Sequence, residues 1–336
     1  MVPREINFLI TWKCNLGCRH CTVSSCGDEY RDMSLDEIST VLDKLVSEKV
    51  LTVTVTGGEP LARRDFEKVW REFYTRPLRI NLNTNGTLLT HENIDRILEA
   101  GRRLDDVMIS LDGPDAETVD ALRGEGTFHR LESSLLRLRS RNLNPYFYCT
   151  VTSLNIDRMD EILAYASQFS DVIKLNPVVR SGPDIPGELV PSRRRLVDLI
   201  DSIPSLMERH SIRLVGVIPD LHKIWIREGQ GNWPSFSCGA PSNRFTIFPD
   251  GTVSPCDHLP SLQLGNLLYS GLLDILSSPA AQKVRETIAE GLEDVDECAD
   301  CRYRNRCTVG CPVFALAGNR DDIRDPYSCL RLLRDG

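Results

Sequence analysis

Three cysteines lie close together near the start of the chain, and their spacing is one that iron–sulfur clusters use. Cys14, Cys18 and Cys21 follow a short apolar run, residues 6–10, in the pattern CxxxCxxC. A four-iron cluster takes one thiolate per iron, so three ligands leave one iron open to bind a substrate or a cofactor. The alternatives are a zinc site or ordinary buried thiols, and zinc favours CxxC pairs with a second pair downstream. The spacing therefore favours an open iron–sulfur cluster.

A second group of cysteines lies toward the end of the chain. Its members are Cys238, Cys256, Cys298, Cys301, Cys307, Cys311 and Cys329. Between the first two stands Phe248-Pro249-Asp250-Gly251-Thr252, a strong hairpin-turn pattern. Structural zinc sites are an alternative, but this block holds more thiols than one zinc needs, and two four-iron clusters need about eight. The block therefore predicts further cluster or metal sites.

The elements that would position these cysteines alternate between strand and helix up to about residue 178. Short apolar runs predict strands, and the segments between them have the apolar spacing of helices. The predicted strands are 6–10, 51–56, 79–83, 107–111, 146–152 and 172–175, and the predicted helices are 35–47, 65–73, 91–100, 128–139 and 159–169. Such alternation predicts a parallel sheet with helices outside it, with too few units for a full eight-unit barrel.

Small polar residues follow three of these strands, at the edge where parallel α/β folds place their chemistry. Gly57-Gly58-Glu59 follows the second strand, where paired glycines would let the backbone approach a ligand closely and Glu59 offers a charge. The third strand runs into Asn83, and the fourth into Ser110 and Asp112. Ordinary turns remain the alternative at each place.

Composition excludes several classes of function. The net charge of −8 is the opposite of the basic excess that nucleic-acid binding needs. No apolar run approaches the length of a membrane span, and the start of the chain lacks a secretory signal pattern, so we expect a cytoplasmic protein. Twelve cysteines in a compartment that keeps thiols reduced indicate metal or cluster ligation rather than disulfides.

The first cysteine motif resembles the signature of radical S-adenosylmethionine (SAM) enzymes, with His20 at a position that is usually aromatic. The resemblance implies a partial (β/α)6 barrel, which we assign to residues 1–178, and a four-iron cluster on Cys14, Cys18 and Cys21. It also implies that SAM chelates the open iron and releases a 5′-deoxyadenosyl radical that abstracts hydrogen from a substrate. By the same resemblance, seven positions bind SAM or line the cavity for SAM and substrate: His20, Gly57, Gly58, Glu59, Asn83, Ser110 and Asp112.

The later cysteines resemble the SPASM domain, a small extension of some radical SAM enzymes that holds auxiliary iron–sulfur clusters. We assign it to residues 238–336, as a cysteine-rich α+β domain, after a linker and helical region over 179–237. By resemblance, the outer cluster has the ligands Cys298, Cys301, Cys307 and Cys329, and the inner cluster has Cys238, Cys256 and Cys311. Fully ligated members have one more cysteine before the position of Cys238, where this chain has Ser235-Phe236-Ser237. The inner cluster is therefore predicted to have an open iron, a non-cysteine ligand or fewer irons.

Three further residues have candidate roles of their own. Asp257 directly follows Cys256, and a carboxylate beside a cluster could take up the proton that a substrate radical loses on oxidation. Resemblance to SPASM-containing dehydrogenases implies the same role, and a hydrogen bond within a turn is the alternative. Cys26 could line the cavity and donate a hydrogen atom, whereas Cys149, in a predicted strand, is interpreted as a small buried hydrophobe.

The sequence thus predicts a radical SAM oxidoreductase that abstracts hydrogen from a peptide and leads to its oxidation, crosslinking or epimerisation. A flavodoxin or ferredoxin would supply the first electron. The first strand starts at residue 6, so a leader-peptide-binding domain is expected to be a separate protein. The alternative substrate is a small molecule: a sugar, an aminoglycoside-like metabolite or a tetrapyrrole. A non-catalytic electron carrier or zinc-binding module is the competing class, and the three-cysteine loop with Gly57-Gly58-Glu59 argues against it.

Overall fold

Ten strands form a single sheet in the computed structural model of the chain, which describes residues 5–23, 31–99, 107–179, 185–214, 239–290 and 313. In chain order they are β1 (Glu5–Leu9), β2 (Thr52–Thr56), β3 (Arg79–Thr84), β4 (Val107–Ser110), β5 (Tyr146–Val151), β6 (Val172–Pro177), β7 (Arg213–Leu214), β8 (Arg244–Ile247), β9 (Thr252–Ser254) and β10 (Gly265–Asn266). Their order across the sheet is β10-β9-β8-β1-β2-β3-β4-β5-β6-β7. Strands β1 to β6 are therefore neighbours in chain order.

The connections between these strands are helical, and this is why the sheet is mostly parallel. The helices are α1 (Leu35–Ser47), α2 (Phe66–Tyr74), α3 (His91–Glu99), α4 (Ala116–Arg123), α5 (Thr127–Ser140), α6 (Met159–Ala166), α7 (Arg193–His210), α8 (Leu272–Leu276) and α9 (Pro279–Glu290). Every pairing from β1 through β7 is parallel. A helical crossover returns the chain to the same end of the sheet before each new strand. The predicted α/β class with a mostly parallel sheet is confirmed.

Local sequence signals placed most of these elements within a residue or two. Helix α1 spans the predicted 35–47 because Ser34 starts it with a capping box: the backbone N–H of Glu37 donates to Ser34 Oγ, and Ser34 N–H donates to the Glu37 carboxylate. Among the described helices of residues 1–178, sequence analysis missed α4. Asp115 caps it by accepting from Thr118 N–H, so an Asp-x-x-Thr pattern was the available signal.

One face of the sheet is apolar and the other is polar. On β2, Val53 and Val55 are fully buried in the core beneath the helices, while the threonines between them point the other way. The same alternation places Ile173 and Leu175 of β6 in the core and Lys174 on the opposite face. Parallel strands covered on both faces usually read as continuous apolar runs. Polar residues at every second position therefore indicate an interior face made for a polar ligand.

The sheet curls around this polar face. In a flat sheet, five spacings of about 4.8 Å would separate β1 from β6 by about 24 Å. Burial lowers the pKa of Lys174 on β6, and the charges of Arg244 on β8 and Glu5 on β1 also act on it. That residues on β1 and β8 act electrostatically on a residue of β6 indicates that the two edges approach each other. The polar face is the inside of a partial barrel.

The segment after residue 238 continues the same sheet. Strand β8 pairs in parallel with β1, and β9 pairs antiparallel with β8. The predicted turn at Phe248–Thr252 is the hairpin between them, with Gly251 at φ +86°, a left-handed conformation that favours glycine. Side chains of α8 and α9 belong to the same hydrophobic core as the barrel helices. Of the described helices, none is long and apolar enough to cross a membrane.

Candidate functional site

The three cysteines of the first motif lie on the loop that follows β1, at the carboxyl edge of the parallel strands. Cys14, Cys18 and Cys21 are half-buried, and each is a free thiol. Burial, together with the charges of Glu59, Cys18 and Cys21, raises the pKa of Cys14 to about 11, although a backbone hydrogen bond opposes the shift. Burial likewise raises the pKa of Cys18, with Cys21 adding to it. Thiols this close together disfavour one another's ionisation unless a cation joins them, so the set fits a cluster.

The glycines after β2 hold this loop in place. Gly58 N–H donates to Thr11 O at 2.9 Å, and Glu59 N–H donates to Lys13 O at 2.8 Å. A Cβ added at Gly57 would lie 2.6 Å from Thr11 O, and one added at Gly58 would lie 2.4 Å from Lys13 O. The close approach that the sequence predicted toward a ligand is therefore, in this structure, an approach to the backbone of the cysteine loop.

Glu59 was predicted to offer its charge to a ligand. In the structure its carboxylate has no exposed surface. Oε1 accepts from Leu61 N–H at 3.1 Å and from the Thr84 hydroxyl at 2.8 Å, and Oε2 accepts from Asn85 N–H at 2.7 Å. Burial raises the pKa of Glu59 to about 7, although these donors oppose the shift. Glu59 therefore ties the loop after β2 to the loop after β3.

A buried ion pair lies directly under the cysteine loop. Asp112 is fully buried; its Oδ2 accepts from Arg123 Nε at 2.6 Å and lies 3.5 Å from His20 Nε2, and its Oδ1 accepts from Thr150 N–H at 2.8 Å. Burial by itself would raise the pKa of Asp112, but the charges of Arg123 and His20 hold it below its ordinary value. Arg123 Nη1 also lies 3.9 Å from Cys18 Sγ. Asp112 was predicted to line the cavity for SAM and substrate. In the structure it is fully buried and anchors this network instead.

His20 lies within this network. Burial lowers its pKa to about 4, so the imidazole is neutral at physiological pH. Its Nδ1 is buried and has no hydrogen-bond partner among the described residues. Asn83 Oδ1, on the polar face of β3, is buried and unpaired within the same ranges. These open polar atoms near the loop fit a ligand that carries its own hydrogen-bonding groups, as SAM does.

Ser110 and Asn83 both face the interior of the barrel. Ser110 follows Ile109 on β4 and is half-buried, and its register partner on β5 is Tyr148. Asn83 pairs in register with Met108 on β4. The structure therefore brings these two predicted residues to one surface, on adjacent strands below the cysteine loop.

The second described cysteine region is the turn after β9. Cys256 Sγ donates to Asp257 Oδ1 at 3.1 Å, and the ligating atoms of Cys256, Asp257 and His258 all lie within 4.8 Å of one another. Although burial would raise the pKa of Asp257, the charge of His258 and the Cys256 hydrogen bond hold it below its ordinary value. Asp257 is thus a carboxylate at physiological pH, in a state to accept a proton.

Other predicted residues lie outside the described residues. They are Cys26, Cys238, Cys298, Cys301, Cys307, Cys311 and Cys329. Cys149 on β5 is fully buried in the core, as predicted, and burial raises the pKa of its thiol well above the ordinary value.

Sequence reasoning missed four residues on or beneath the polar face: Arg123, Tyr148, Lys174 and Asn176. The three on strands had a signal, since polar residues alternate with apolar ones in Tyr146–Val151 and Val172–Pro177. Arg123 had none, because its partner Asp112 lies eleven positions away and only the fold joins them.

Comparison with known proteins agrees with this geometry. Residues 8–166 match the model of the radical SAM superfamily, and residues 238–302 match that of SPASM, an iron–sulfur cluster-binding domain. The mycofactocin maturase MftC of Mycolicibacterium smegmatis is 28% identical over 320 residues, covering 92% of this chain and 78% of that protein. The AdoMet-dependent heme synthase of Methanosarcina barkeri is 26% identical over 345 residues, covering 98% of this chain and 96% of that protein.

Among solved structures, the fold is similar to that of SuiB from Streptococcus suis bound to its precursor peptide SuiA. The TM-score is 0.78 at 15% sequence identity, over 98% of this chain and 76% of that one. At this identity the similarity concerns the fold.

Proposed function

This chain belongs to the radical SAM enzymes that carry a C-terminal SPASM domain, and we propose that it modifies a peptide by oxidation, crosslinking or epimerisation. The observation that carries the chemistry is the set of three close, half-buried thiols at the open end of a curled sheet with a polar interior. The peptide is supported by the similarity to the maturase MftC over most of this chain, and by the precursor peptide bound to SuiB. We extend the radical SAM part to residues 1–178 and the SPASM part to 238–336.

Cys14, Cys18 and Cys21 would hold a four-iron cluster and leave its fourth iron to SAM. When bound, the cluster and SAM supply the radical chemistry that removes a hydrogen atom from an unactivated carbon. The open acceptor Nδ1 of His20 and the interior polar groups of Asn83 and Ser110 would orient SAM. The backbone of Gly57-Gly58 would contact the methionine part of SAM, while Glu59 keeps that loop in register with its neighbour.

The Asp112–Arg123 pair would keep the cysteine loop in position while SAM and substrate exchange, since a buried pair resists movement. Asp257 would take up the proton that the substrate loses on oxidation, because it is ionised and half-buried beside Cys256. The later cysteines would hold up to two auxiliary clusters that accept the substrate's electron, and a flavodoxin or ferredoxin would deliver the first electron.

A second candidate substrate is a tetrapyrrole. The heme synthase of Methanosarcina barkeri matches this chain over nearly the full length of both proteins, whereas MftC is longer. The two candidates differ in the class of molecule and are separated by experiment.

The peptide proposal is tested by anaerobic co-expression with each short peptide encoded beside the gene, followed by mass spectrometry of the peptide. A loss of about two hydrogens per site identifies oxidation or crosslinking. An unchanged mass with an altered residue stereochemistry identifies epimerisation. If no peptide changes and a tetrapyrrole carboxylate is converted instead, the peptide proposal is wrong.

The radical chemistry itself is tested without a substrate. The reduced, reconstituted protein should release 5′-deoxyadenosine from SAM, and Cys18→Ala should abolish this release. The iron content should approach about twelve per chain if all three clusters are four-iron clusters. Bound zinc with little iron, and no cleavage of SAM, would support the zinc-binding module instead.

A further inference from the structure

The wall formed by β5 and β6 carries a cation that the proposed reaction does not use. Lys174 faces the interior, because its neighbours Ile173 and Leu175 are buried in the core on the opposite face. Its register partner is Tyr148, and Lys174 Nζ lies 5.4 Å from the centre of that ring. Lys174 therefore projects into the same space that Asn83 and Ser110 line.

Lys174 has no counterion at ion-pair distance among the described residues. No ion pair or hydrogen bond to its ammonium group occurs among them. Glu5 is the acid of β1 whose charge reaches it, but Glu5 is paired with Arg244 at 2.6 Å. The charge of Asp257 also acts on Lys174, but the Asp257 carboxylate accepts a hydrogen bond from the Cys256 thiol and lies beside His258. Burial lowers the pKa of Lys174, and Arg244 lowers it further.

A second unmatched group lies on the same strand. Asn176 Nδ2 donates to the Tyr148 hydroxyl at 2.9 Å, which fixes the amide. Asn176 Oδ1 is buried and has no hydrogen-bond partner within the described ranges. The wall thus presents a cation and, two residues further along β6, an open acceptor.

Buried charges in proteins are normally paired, and buried polar atoms are normally hydrogen-bonded. Lys174 is half-buried on the interior face without a counterion among the described residues, and Asn176 Oδ1 has no hydrogen-bond partner among them, so a ligand bound on this face would satisfy both groups. A carboxylate would pair with the ammonium group, and an adjacent N–H would donate to the open amide oxygen. An amino-acid residue with a free carboxylate carries both groups.

We propose that Lys174 and Asn176 form a subsite for a substrate carboxylate, so that the reacting residue of the substrate is anionic or lies beside an anionic residue. This inference rests on the proposed function for the identity of the substrate as a peptide, but the subsite itself does not. The carboxylate comes from an acidic side chain or from the peptide's C-terminus, and both bind through the same ion pair.

The subsite is tested first without any substrate. The anaerobically reconstituted protein, with SAM present, is acetylated with an amine-reactive ester in the presence of succinate or of its neutral analogue succinamide, and lysine peptides are weighed. Succinate should slow acetylation of Lys174 at least threefold, and succinamide should not. The exposed Lys68 of α2 is the internal control and should be unaffected by either. Equal rates with both compounds, or a Lys174 that is never acetylated, would overturn the proposal.

The second test uses the peptide identified by co-expression. Each Asp and Glu of the peptide is changed to Asn or Gln, and its C-terminus is amidated, in separate peptides. With the wild-type enzyme, KM for one of these neutral peptides should be at least tenfold higher than KM for the unmodified peptide. Which peptide shows this rise tells whether the bound carboxylate is a side chain or the C-terminus. Lys174→Met should raise KM for the unmodified peptide by a similar factor, with no further rise for the neutral one. Lys174→Arg should restore most of the loss, and Lys68→Met should change nothing.

The failure of one proposal is distinguishable from failure of the other. If the wild-type enzyme modifies no peptide, the proposed function fails while the acetylation test still decides the subsite. If peptides are modified but every neutral peptide reacts as well as its parent, the subsite fails and the proposed function stands.

Discussion

Replacing Asp112 with asparagine tests whether a buried ion pair supports the cysteine loop. The carboxylate is fully buried and accepts from Arg123 Nε at 2.6 Å and from Thr150 N–H at 2.8 Å. Asparagine has the same shape, and its carbonyl oxygen can still accept from Thr150. The change therefore removes the negative charge and leaves the Arg123 guanidinium buried without its counterion.

The magnitude follows from that loss. Breaking a buried pair by removing one partner costs about 3–5 kcal/mol, because the remaining charge is left uncompensated. An exposed pair costs at most about 1 kcal/mol. We therefore expect Asp112→Asn to lower the free energy of unfolding by about 3–5 kcal/mol. Arg123→Met should have a similar effect, and the double variant should cost less than the sum of the two by up to about 3 kcal/mol.

The assay is urea denaturation of the cluster-free protein, monitored by circular dichroism and by tryptophan fluorescence. The two transitions should coincide, which is the condition for deriving a two-state free energy of unfolding. Asp43→Asn is the matched control, because Asp43 pairs with Arg76 at 2.8 Å but is 70% exposed. Because the pKa of Asp112 lies below its ordinary value, its contribution to stability is complete above about pH 4 and is lost only as pH falls further. The cost of the variant should therefore be constant from pH 6 to 8.

Two results would refute this reasoning. A loss of under about 1 kcal/mol, equal to that of Asp43→Asn, would mean that Asp112 behaves as an exposed group. Strict additivity in the double variant would mean that Asp112 and Arg123 are not coupled.

Three further predictions have equally definite outcomes. Gly58→Ala should displace the cysteine loop, because the new Cβ would lie 2.4 Å from Lys13 O, and the iron bound after reconstitution should fall by about four per chain. Gly17→Ala is the control and should retain that iron, because a Cβ added there would have no atom within 4 Å; equal iron in both variants would contradict the packing argument. Cys149 should stay unmodified by iodoacetamide until the protein unfolds, because it is fully buried, and alkylation in the native protein would show that β5 opens. The pKa of Glu59 is raised to about 7, so the folded state keeps a proton that the unfolded state loses at the ordinary glutamate pKa. The stability of the wild type relative to Glu59→Gln should therefore fall as pH rises toward 7 and then level off. A constant difference across pH 5 to 8 would be inconsistent with that pKa.

Sequence alone placed the elements well wherever a local signal existed. The capping box at Ser34 and Glu37 begins α1, and the turn at Pro249-Asp250-Gly251 joins β8 to β9. These are interactions between residues a few positions apart, so the amino-acid pattern specifies them directly. Helix α4 was missed although Asp115 caps it, because no long apolar repeat marks eight residues as a helix.

The candidate site was predicted less completely than the fold. Cysteine spacing identified Cys14, Cys18 and Cys21, which the structure places together. Glu59 and Asp112 were selected by resemblance as ligand contacts, yet both are fully buried and bind protein groups. Whether a carboxylate faces a ligand or a neighbouring loop depends on side chains from distant segments, which spacing does not report.

The sequence by itself determined the metal chemistry, the strand–helix alternation and the family, because each depends on residue types at short separations. Only the tertiary structure decided which groups meet. Curling of the sheet brings Lys174 near Glu5 and Arg244, although these residues lie far apart in the chain. It also pairs Arg123 with Asp112 beneath Cys18 and leaves Lys174 without a counterion among the described residues. The physical reason is that electrostatic and hydrogen-bonding partners are set by distance in space, and that distance exists only once the chain has folded.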